Sequence, residues 1–192
     1  MSKFILVIIL TLSISCKSQT NIISYVDRCN YNSINTSDGN TYLKDVSNVF
    51  ASYEGTWKWT SGNKEMTLVL VKQVKHHMTE APSNYYKDRL VGYYIYKENG
   101  VIIADTSGDN LMSDFDVNVS FSIECDIPKV STAIFKDVKK EKMISVSLEK
   151  LSPIQMKFTG KIGQHSSYVS KAKPRTLYTG STFPLEMVFT KQ

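Results

Sequence analysis

The chain of 192 residues carries a formal net charge of +5, with 42% apolar residues and three cysteines. A positive surplus this small, spread along the chain, does not indicate a nucleic-acid-binding protein. The length is sufficient for one domain that buries roughly two thirds of its unfolded surface, so folding requires no metal or disulfide.

The first fifteen residues have the features of a signal peptide. Lys3 supplies a positive charge, and the apolar run over residues 4–12 that follows it is too short to span a bilayer. Residues 12–16, Leu-Ser-Ile-Ser-Cys, resemble a bacterial lipobox, in which small residues precede a cysteine that is acylated and becomes the mature N terminus. The alternative is an ordinary secretory signal that leaves Cys16 free. The resemblance implies that Cys16 is a lipid anchor.

The residues after Cys16 bear on location. Lys17 stands where an inner-membrane retention signal would have aspartate, and this resemblance implies an outer-membrane lipoprotein. No acidic pair follows Cys16, whereas some surface-exported lipoproteins carry one, so we expect a periplasm-facing position. Residues 16–40 are rich in serine, asparagine and threonine and predict a flexible tether. Residues 41–192 then form the single folded domain.

Residues 41–53 predict one short helix. An apolar stripe recurs there at helical spacing: Tyr42, Val46, Val49 or Phe50, and Tyr53. Gly55 ends this helix. We expect the helix to plug one end of the domain rather than to bind a partner.

The following residues predict a β-hairpin. Trp57 and Trp59 alternate with polar residues, as in a half-buried strand. Residues 61–64, Ser-Gly-Asn-Lys, predict the turn, and residues 66–71 predict the returning strand.

A polar loop and a second hairpin come next. Residues 75–88 contain Pro82 and predict the loop, whereas residues 90–96 predict a tyrosine-rich strand. Asn99-Gly100 predicts a type I′ turn, because both residues tolerate positive φ. The turn folds residues 101–104 back on the tyrosine-rich strand.

Further strands fill the second half of the chain. Residues 115–125 alternate apolar and polar side chains without a break, a period of two that excludes a helix, and Pro128 ends the strand. Shorter strands are predicted at residues 131–136, 144–148, 154–158 and 183–189, with a charged turn at residues 139–141 and a long polar loop at residues 163–180.

The predicted fold is therefore mainly β, with about nine antiparallel strands and one short N-terminal helix. The sheet either closes into a barrel, with the last strand pairing with the Trp57 strand, or packs as a two-layer sandwich. Closure removes edge strands and favours the barrel.

Two cysteines remain besides Cys16. In an oxidising envelope Cys29 and Cys125 invite a disulfide bond. The alternative is equally open, because Cys125 falls on the apolar face of its strand, where a free thiol acts as a small core side chain.

Catalytic and metal-binding patterns are weak. His76-His77 with Glu80 hints at a metal, but adjacent histidines on a strand point to opposite faces, so we expect no metal and no cofactor. Four acidic residues in one loop could hold calcium but match no EF-hand spacing: Asp105, Asp109, Asp114 and Asp116. With no nucleophile motif, the sequence predicts a protein that is not an enzyme.

Gly55-Thr56-Trp57 resembles the G-x-W signature at the start of lipocalin-like barrels. The resemblance implies that Trp57 closes the barrel floor. The order of lipobox, helix, Gly-Thr-Trp and tyrosine-rich strand ending in Glu98-Asn99-Gly100 also resembles a group of small uncharacterised lipoproteins found in Bacteroidota.

The function expected from these patterns is a lipid-anchored envelope module that binds a small apolar ligand. Its pocket would be lined by Trp57, Tyr94, Tyr96 and Phe121. Gly92, on the face of Tyr94 and Tyr96, leaves space for the pocket. The alternative is an interaction lipoprotein with a solid core, which binds another envelope protein through the loops at residues 75–88 and 163–180.

Overall fold

The computed structural model describes residues 21–125, 129–162 and 179–192. The predicted signal peptide, Cys16 and most of the loop at residues 163–180 lie outside the described residues. The strands are β1 Asn21–Ser24, β2 Thr41–Lys44, β3 Gly55–Ser61, β4 Lys64–Met78, β5 Tyr85–Glu98, β6 Val101–Asp105, β7 Val119–Ile123, β8 Val130–Asp137, β9 Lys142–Met143, β10 Ser145–Ser152, β11 Gln155–Lys161 and β12 Glu186–Lys191. Among the described helical segments, none has the length and apolar composition needed to cross a membrane.

Eight strands close into an antiparallel barrel in the order β3-β4-β5-β7-β8-β10-β11-β12. The last strand pairs with the first, with Thr190 opposite Lys58 and Lys191 opposite Trp57. β10, β11 and β12 bury alternate residues, whereas β5 buries five consecutive residues where it is also covered from outside. Closure leaves no barrel strand without two neighbours. The predicted antiparallel, lipocalin-like barrel is confirmed over the two-layer sandwich.

Two predicted turns have the backbone that their residues favour. Gly62 has φ 58° in the β3–β4 turn. Asn99 and Gly100 have φ 51° and 76°, the two positive values of a type I′ turn, and β6 pairs with β5 beyond it. These local signals therefore predicted the two hairpins correctly.

The segment predicted as a flexible tether, residues 16–40, contains a strand. β1, at residues 21–24, pairs with β2 in parallel, and β2 pairs in parallel with the start of β5. Ile23 and Tyr25 are both buried. These two apolar residues in a polar segment add β1 to the sheet, so the sheet is not antiparallel throughout.

The helix predicted at residues 41–53 is wrong. β2 occupies its first four residues, and only Phe50–Ser52 forms a 3-10 turn. The reason is Asp45, whose carboxylate accepts hydrogen bonds from the backbone N–H groups of Val49 and Phe50 at 2.8 and 2.9 Å. A side chain that satisfies these N–H groups favours a turn over a continuous helix.

The loop predicted at residues 75–88 is also wrong. β4 continues to Met78 and β5 begins at Tyr85, with a bulge between Gln73 and His76. We call residues 73–89 of this long hairpin the extension, because it continues past the residues of β5 that pair with β7. Three of its polar side chains, His76, Asp88 and Arg89, are buried, so their polarity did not indicate a loop.

The strand predicted at residues 115–125 is shorter, with β7 only at Val119–Ile123. Val117 is buried, but Phe115 is 47% exposed and lies in a turn. Alternation therefore holds over residues 117–123, and the preceding segment instead packs over the extension.

Cys29 and Cys125 form a disulfide bond, with Cα atoms 5.9 Å apart. The bond ties the segment after β1 to the end of β7, beside a hydrogen bond from the Arg28 guanidinium to Ser122 Oγ at 2.9 Å. The bond closes a loop of 96 residues and so lowers the entropy of the unfolded chain. This effect stabilises the folded state by about 4 kcal/mol. Of the two alternatives for Cys125, the structure has the bonded one.

Candidate functional site

The four residues predicted to line a pocket lie inside the barrel, and all are at most 1% exposed. The ring of Tyr94 stacks on Phe135, with the ring centroids 5.4 Å apart, and meets Phe183 edge-on, with the centroids 5.3 Å apart. Tyr96 also contacts Phe183, and Phe121 contacts Phe135. Phe135 and Phe183 thus connect three of the four residues into one aromatic cluster.

The hydroxyl groups of the two buried tyrosines are satisfied within the protein. Tyr94 donates to the carbonyl of Lys136 at 2.9 Å, and Tyr96 donates to Glu98 Oε1 at 2.7 Å. Burial and the hydrogen bond to Glu98 raise the pKa of Tyr96. Both tyrosines therefore act as neutral packing groups whose polar atoms already have partners.

Trp57 lies at the other end of the interior, where β3 begins. Its indole Nε1 donates to the carbonyl of Tyr53 at 2.7 Å, which fixes the ring. Tyr53, held by the 3-10 turn, lies 5% exposed beside it. These contacts tie the start of β3 to the 3-10 turn.

Gly92 does not open a pocket. A Cβ atom built at this residue would lie 1.9 Å from the carbonyl oxygen of Val69. Gly92 is therefore required for close approach of β4 and β5, and the space beside Tyr94 that the sequence suggested is occupied by backbone.

One face of the extension carries a buried carboxylate that the sequence analysis missed. Asp88 is 2% exposed, and its carboxylate accepts from the hydroxyl of Tyr42 and from the backbone N–H groups of Asp45 and Lys75, at 2.6, 2.9 and 2.8 Å. Asp45 in turn accepts from the ammonium group of Lys72 at 3.2 Å. This network ties β2 and the following turn to the bulge.

The opposite face carries a buried guanidinium. Arg89 is 2% exposed and donates to the carbonyls of Leu111 and Ser113 at 2.7 and 2.8 Å, and to Gln73 Oε1 at 2.6 Å. Adjacent residues of a strand point to opposite faces, so Asp88 and Arg89 serve two separate networks. The sequence signal for both networks was the charged pair Asp88-Arg89. This pair lies between the aromatic residues Tyr85-Tyr86 and the apolar residues Leu90-Val91.

His76 is part of the Arg89 face. Its Nε2 lies 2.7 Å from Asp114 Oδ1, while Asp114 Oδ2 accepts from the backbone N–H groups of Thr79 and Glu80 at 2.6 and 2.9 Å. Burial lowers the pKa of His76, and the Arg89 charge lowers it further. Burial acts to raise the pKa of Asp114, but its three hydrogen bonds outweigh burial and hold that pKa at about 2.

The residues considered for a metal are dispersed. His77 lies on the opposite face from His76, stacks on Tyr86 at 4.4 Å and bonds Asn84 at 2.9 Å. Of the acidic loop, Asp109 binds Asn118 and Asp105 binds the N–H of Ser107. Within residues 21–125, 129–162 and 179–192 no three His, Cys, Asp or Glu side chains converge on a metal position.

A groove of about 540 Å³ lies beside β6, at the end of the barrel opposite Trp57. It is lined by Glu98, Ile102, Ile103, Lys139, Lys140, Ser181 and Thr182. Val101 and Ile102 are 61% and 53% exposed, and β6 pairs only with β5 among the strands described. The groove therefore combines an unpaired strand edge, aliphatic side chains and a basic wall.

The far wall of this groove is fixed by a buried carboxylate. Asp137 is fully buried, and its oxygens accept from the backbone N–H and hydroxyl of Thr182 at 2.6 and 2.7 Å. The ammonium group of Lys142 donates to the carbonyl of Gly180 at 3.1 Å. These bonds hold residues 180–182, just at and after the end of the loop predicted at residues 163–180, against the β8–β9 turn.

Comparison with known proteins gives a family. No curated protein matches the chain, and no solved structure matches it. The model of a family of unknown function, DUF6705, matches residues 1–192. The chain belongs to that family.

Proposed function

We propose that the protein is a non-enzymatic, lipid-anchored component of the outer membrane, facing the periplasm, that binds another envelope protein. The observation that carries this proposal is the filled interior, where the ring of Phe135 contacts the rings of both Tyr94 and Phe121. A barrel packed in this way is a rigid scaffold, and its surface is left for recognition. The ligand-carrier alternative finds its predicted lining residues engaged in packing.

The groove beside β6 is the surface that this proposal assigns to the partner. An unpaired strand edge offers N–H and C=O groups to an extended segment of another chain. Ile102 supplies an exposed aliphatic contact, and Lys139 and Lys140 favour acidic side chains in that segment.

Site-specific photo-crosslinking tests the proposed partner surface. A photoreactive amino acid at Ile102 is expected to form one discrete adduct in intact cells, and Ile102→Asp should abolish co-purification of the same partner. Val188, which is 46% exposed on β12, provides the matched control position. Equal adducts at both positions, or none at Ile102, would count against the groove.

The lipid anchor requires a separate test. Cells fed radiolabelled palmitate are expected to label the wild type and to leave Cys16→Ser unlabelled and released from the membrane fraction. Label that persists in Cys16→Ser would contradict the anchor without affecting the groove.

A further inference from the structure

Two lysine side chains converge on the ring of Trp57, near the start of β3. The Lys150 ammonium lies 4.2 Å from the ring centroid, and the Lys191 ammonium lies 5.4 Å from it. Both ammonium groups are held by the indole, whose own orientation is fixed by the hydrogen bond to Tyr53. The arrangement places two positive charges on one small surface.

Among the described residues, neither ammonium group has a carboxylate partner. The ion pairs among the described residues do not include Lys150 or Lys191. The Lys150 ammonium donates to the carbonyl of Pro153 at 3.1 Å, which supplies no negative charge. Burial lowers the pKa of Lys150, and repulsion by Lys191 lowers it further. An anion between the two groups would relieve that repulsion.

The surroundings suit a small anion of tetrahedral shape. A cleft of about 490 Å³ is lined by Ser52, Lys150, Leu151, Ser152, Pro153 and Lys191. Ser152 Oγ accepts the N–H of Ile154 at 3.3 Å, which leaves its hydroxyl proton for a ligand. Two ammonium groups and a hydroxyl donor supply the charge and hydrogen bonds that a phosphate group accepts.

We propose that this cleft binds a phosphate group, with Lys150 and Lys191 as its principal ligands and Ser152 as a further donor. Phosphate occurs free in solution and as the headgroup phosphate of lipids. Leu151 and Ile154, at the tip of the β10–β11 hairpin, are 49% and 59% exposed at the rim. These side chains would contact the acyl region if the phosphate belongs to a lipid.

The test uses Trp57 as its own reporter. The chain has two tryptophans, so Trp59→Phe leaves Trp57 as the single indole. In that background, inorganic phosphate is titrated at constant ionic strength against a sodium chloride control. A second arm uses phosphatidylcholine vesicles with and without phosphatidylglycerol. Lys150→Gln and Lys191→Gln are measured beside Lys161→Gln, an exposed lysine at the far end of β11.

We expect a saturable change in Trp57 emission with phosphate or with the anionic vesicles. Each of Lys150→Gln and Lys191→Gln should weaken it about tenfold, as for loss of one charge-assisted hydrogen bond, and Lys161→Gln should not. A response to phosphate identifies the free anion, and a response to anionic vesicles alone identifies a lipid headgroup. No response in either arm, or equal responses in all three variants, overturns the proposal.

A folding control keeps the result interpretable. Lys150→Arg and Lys191→Arg retain the charge and the ring contact, so they should retain binding even if the glutamine variants unfold. Loss of binding in the folded arginine variants would also overturn the proposal.

Discussion

The carboxylate of Asp88 accepts a hydrogen bond of 2.6 Å from the hydroxyl of Tyr42, and both side chains are buried where the parallel strand β2 meets β5. The two residues are 46 positions apart. Their contact, rather than strand pairing alone, connects the outer strands to the long hairpin. The attachment of the outer strands β1 and β2 therefore depends on a polar interaction that apolar periodicity does not predict.

Asp88→Ala should destabilise the fold by about 3 kcal/mol, because it leaves two buried donors and one part-buried donor without an acceptor. Tyr42→Phe removes one donor and should cost about 1 kcal/mol. Urea unfolding measures both changes in the free energy of unfolding. Asp116→Ala, in an exposed turn, is the matched control and should stay within about 0.5 kcal/mol of wild type. A loss for Asp88→Ala no larger than the control's would refute the role of the network.

Acidification should weaken the fold through Asp114 and His76. Both have folded pKa values below their unfolded ones, so the unfolded chain binds protons first and stability falls as pH falls. The His76 contribution is lost below its unfolded pKa of about 6.5. The Asp114 contribution is lost between the unfolded pKa of about 4 and the folded value of about 2, and amounts to about 2 kcal/mol.

Urea midpoints measured from pH 7 to pH 2.5 test this dependence. Asp114→Asn should be less stable than wild type at pH 7 and should lose less stability on acidification below pH 4. Asp116→Asn should follow the wild-type curve. A wild-type curve that is flat below pH 4, or identical curves for Asp114→Asn and wild type, would contradict the assignment.

Gly92→Ala should destabilise the barrel by about 3 kcal/mol, because the added methyl group would lie 1.9 Å from the Val69 carbonyl oxygen and force β4 and β5 apart. Gly108→Ala is the matched control, since a Cβ atom there meets nothing within 4 Å. Thermal unfolding of both variants measures the difference. Equal melting temperatures would restore the interpretation of Gly92 as the edge of an open pocket.

The barrel could be predicted from sequence because its information is local. Alternation around Trp57 and Phe121 fixed the inward faces, and Asn99-Gly100 fixed a turn through backbone conformation alone. The lack of a long crossover helix indicated an antiparallel sheet, and closure of the last strand on the Trp57 strand was favoured over a sandwich because it removes edge strands. The inward faces and the turn each depend on a few neighbouring residues, whereas closure depends on the general cost of unpaired edge strands.

The extension could not be predicted because its information is distant in sequence. His76 and Asp88 appear as loop residues until Asp114 and Tyr42, more than 35 positions away, supply partners. The helix prediction failed for a local reason, because the side chain of Asp45 satisfies the backbone N–H groups of Val49 and Phe50. Gly92 was interpreted as empty space because a sequence does not show which backbone lies opposite. Local polarity therefore does not predict exposure where the fold buries a polar side chain together with its partner.

Binding of an apolar fluorescent probe tests the solid interior most directly. Phe135→Ala, which removes the ring shared by Tyr94, Phe121 and Phe158, should lose about 3 to 5 kcal/mol of stability and open a cavity. Wild-type protein should therefore give no saturable enhancement of 1-aminoanthracene fluorescence, whereas Phe135→Ala should give one. Saturable binding by the wild type that Phe135→Ala does not increase would contradict a filled barrel. It would favour the alternative hypothesis that the barrel binds a small apolar ligand.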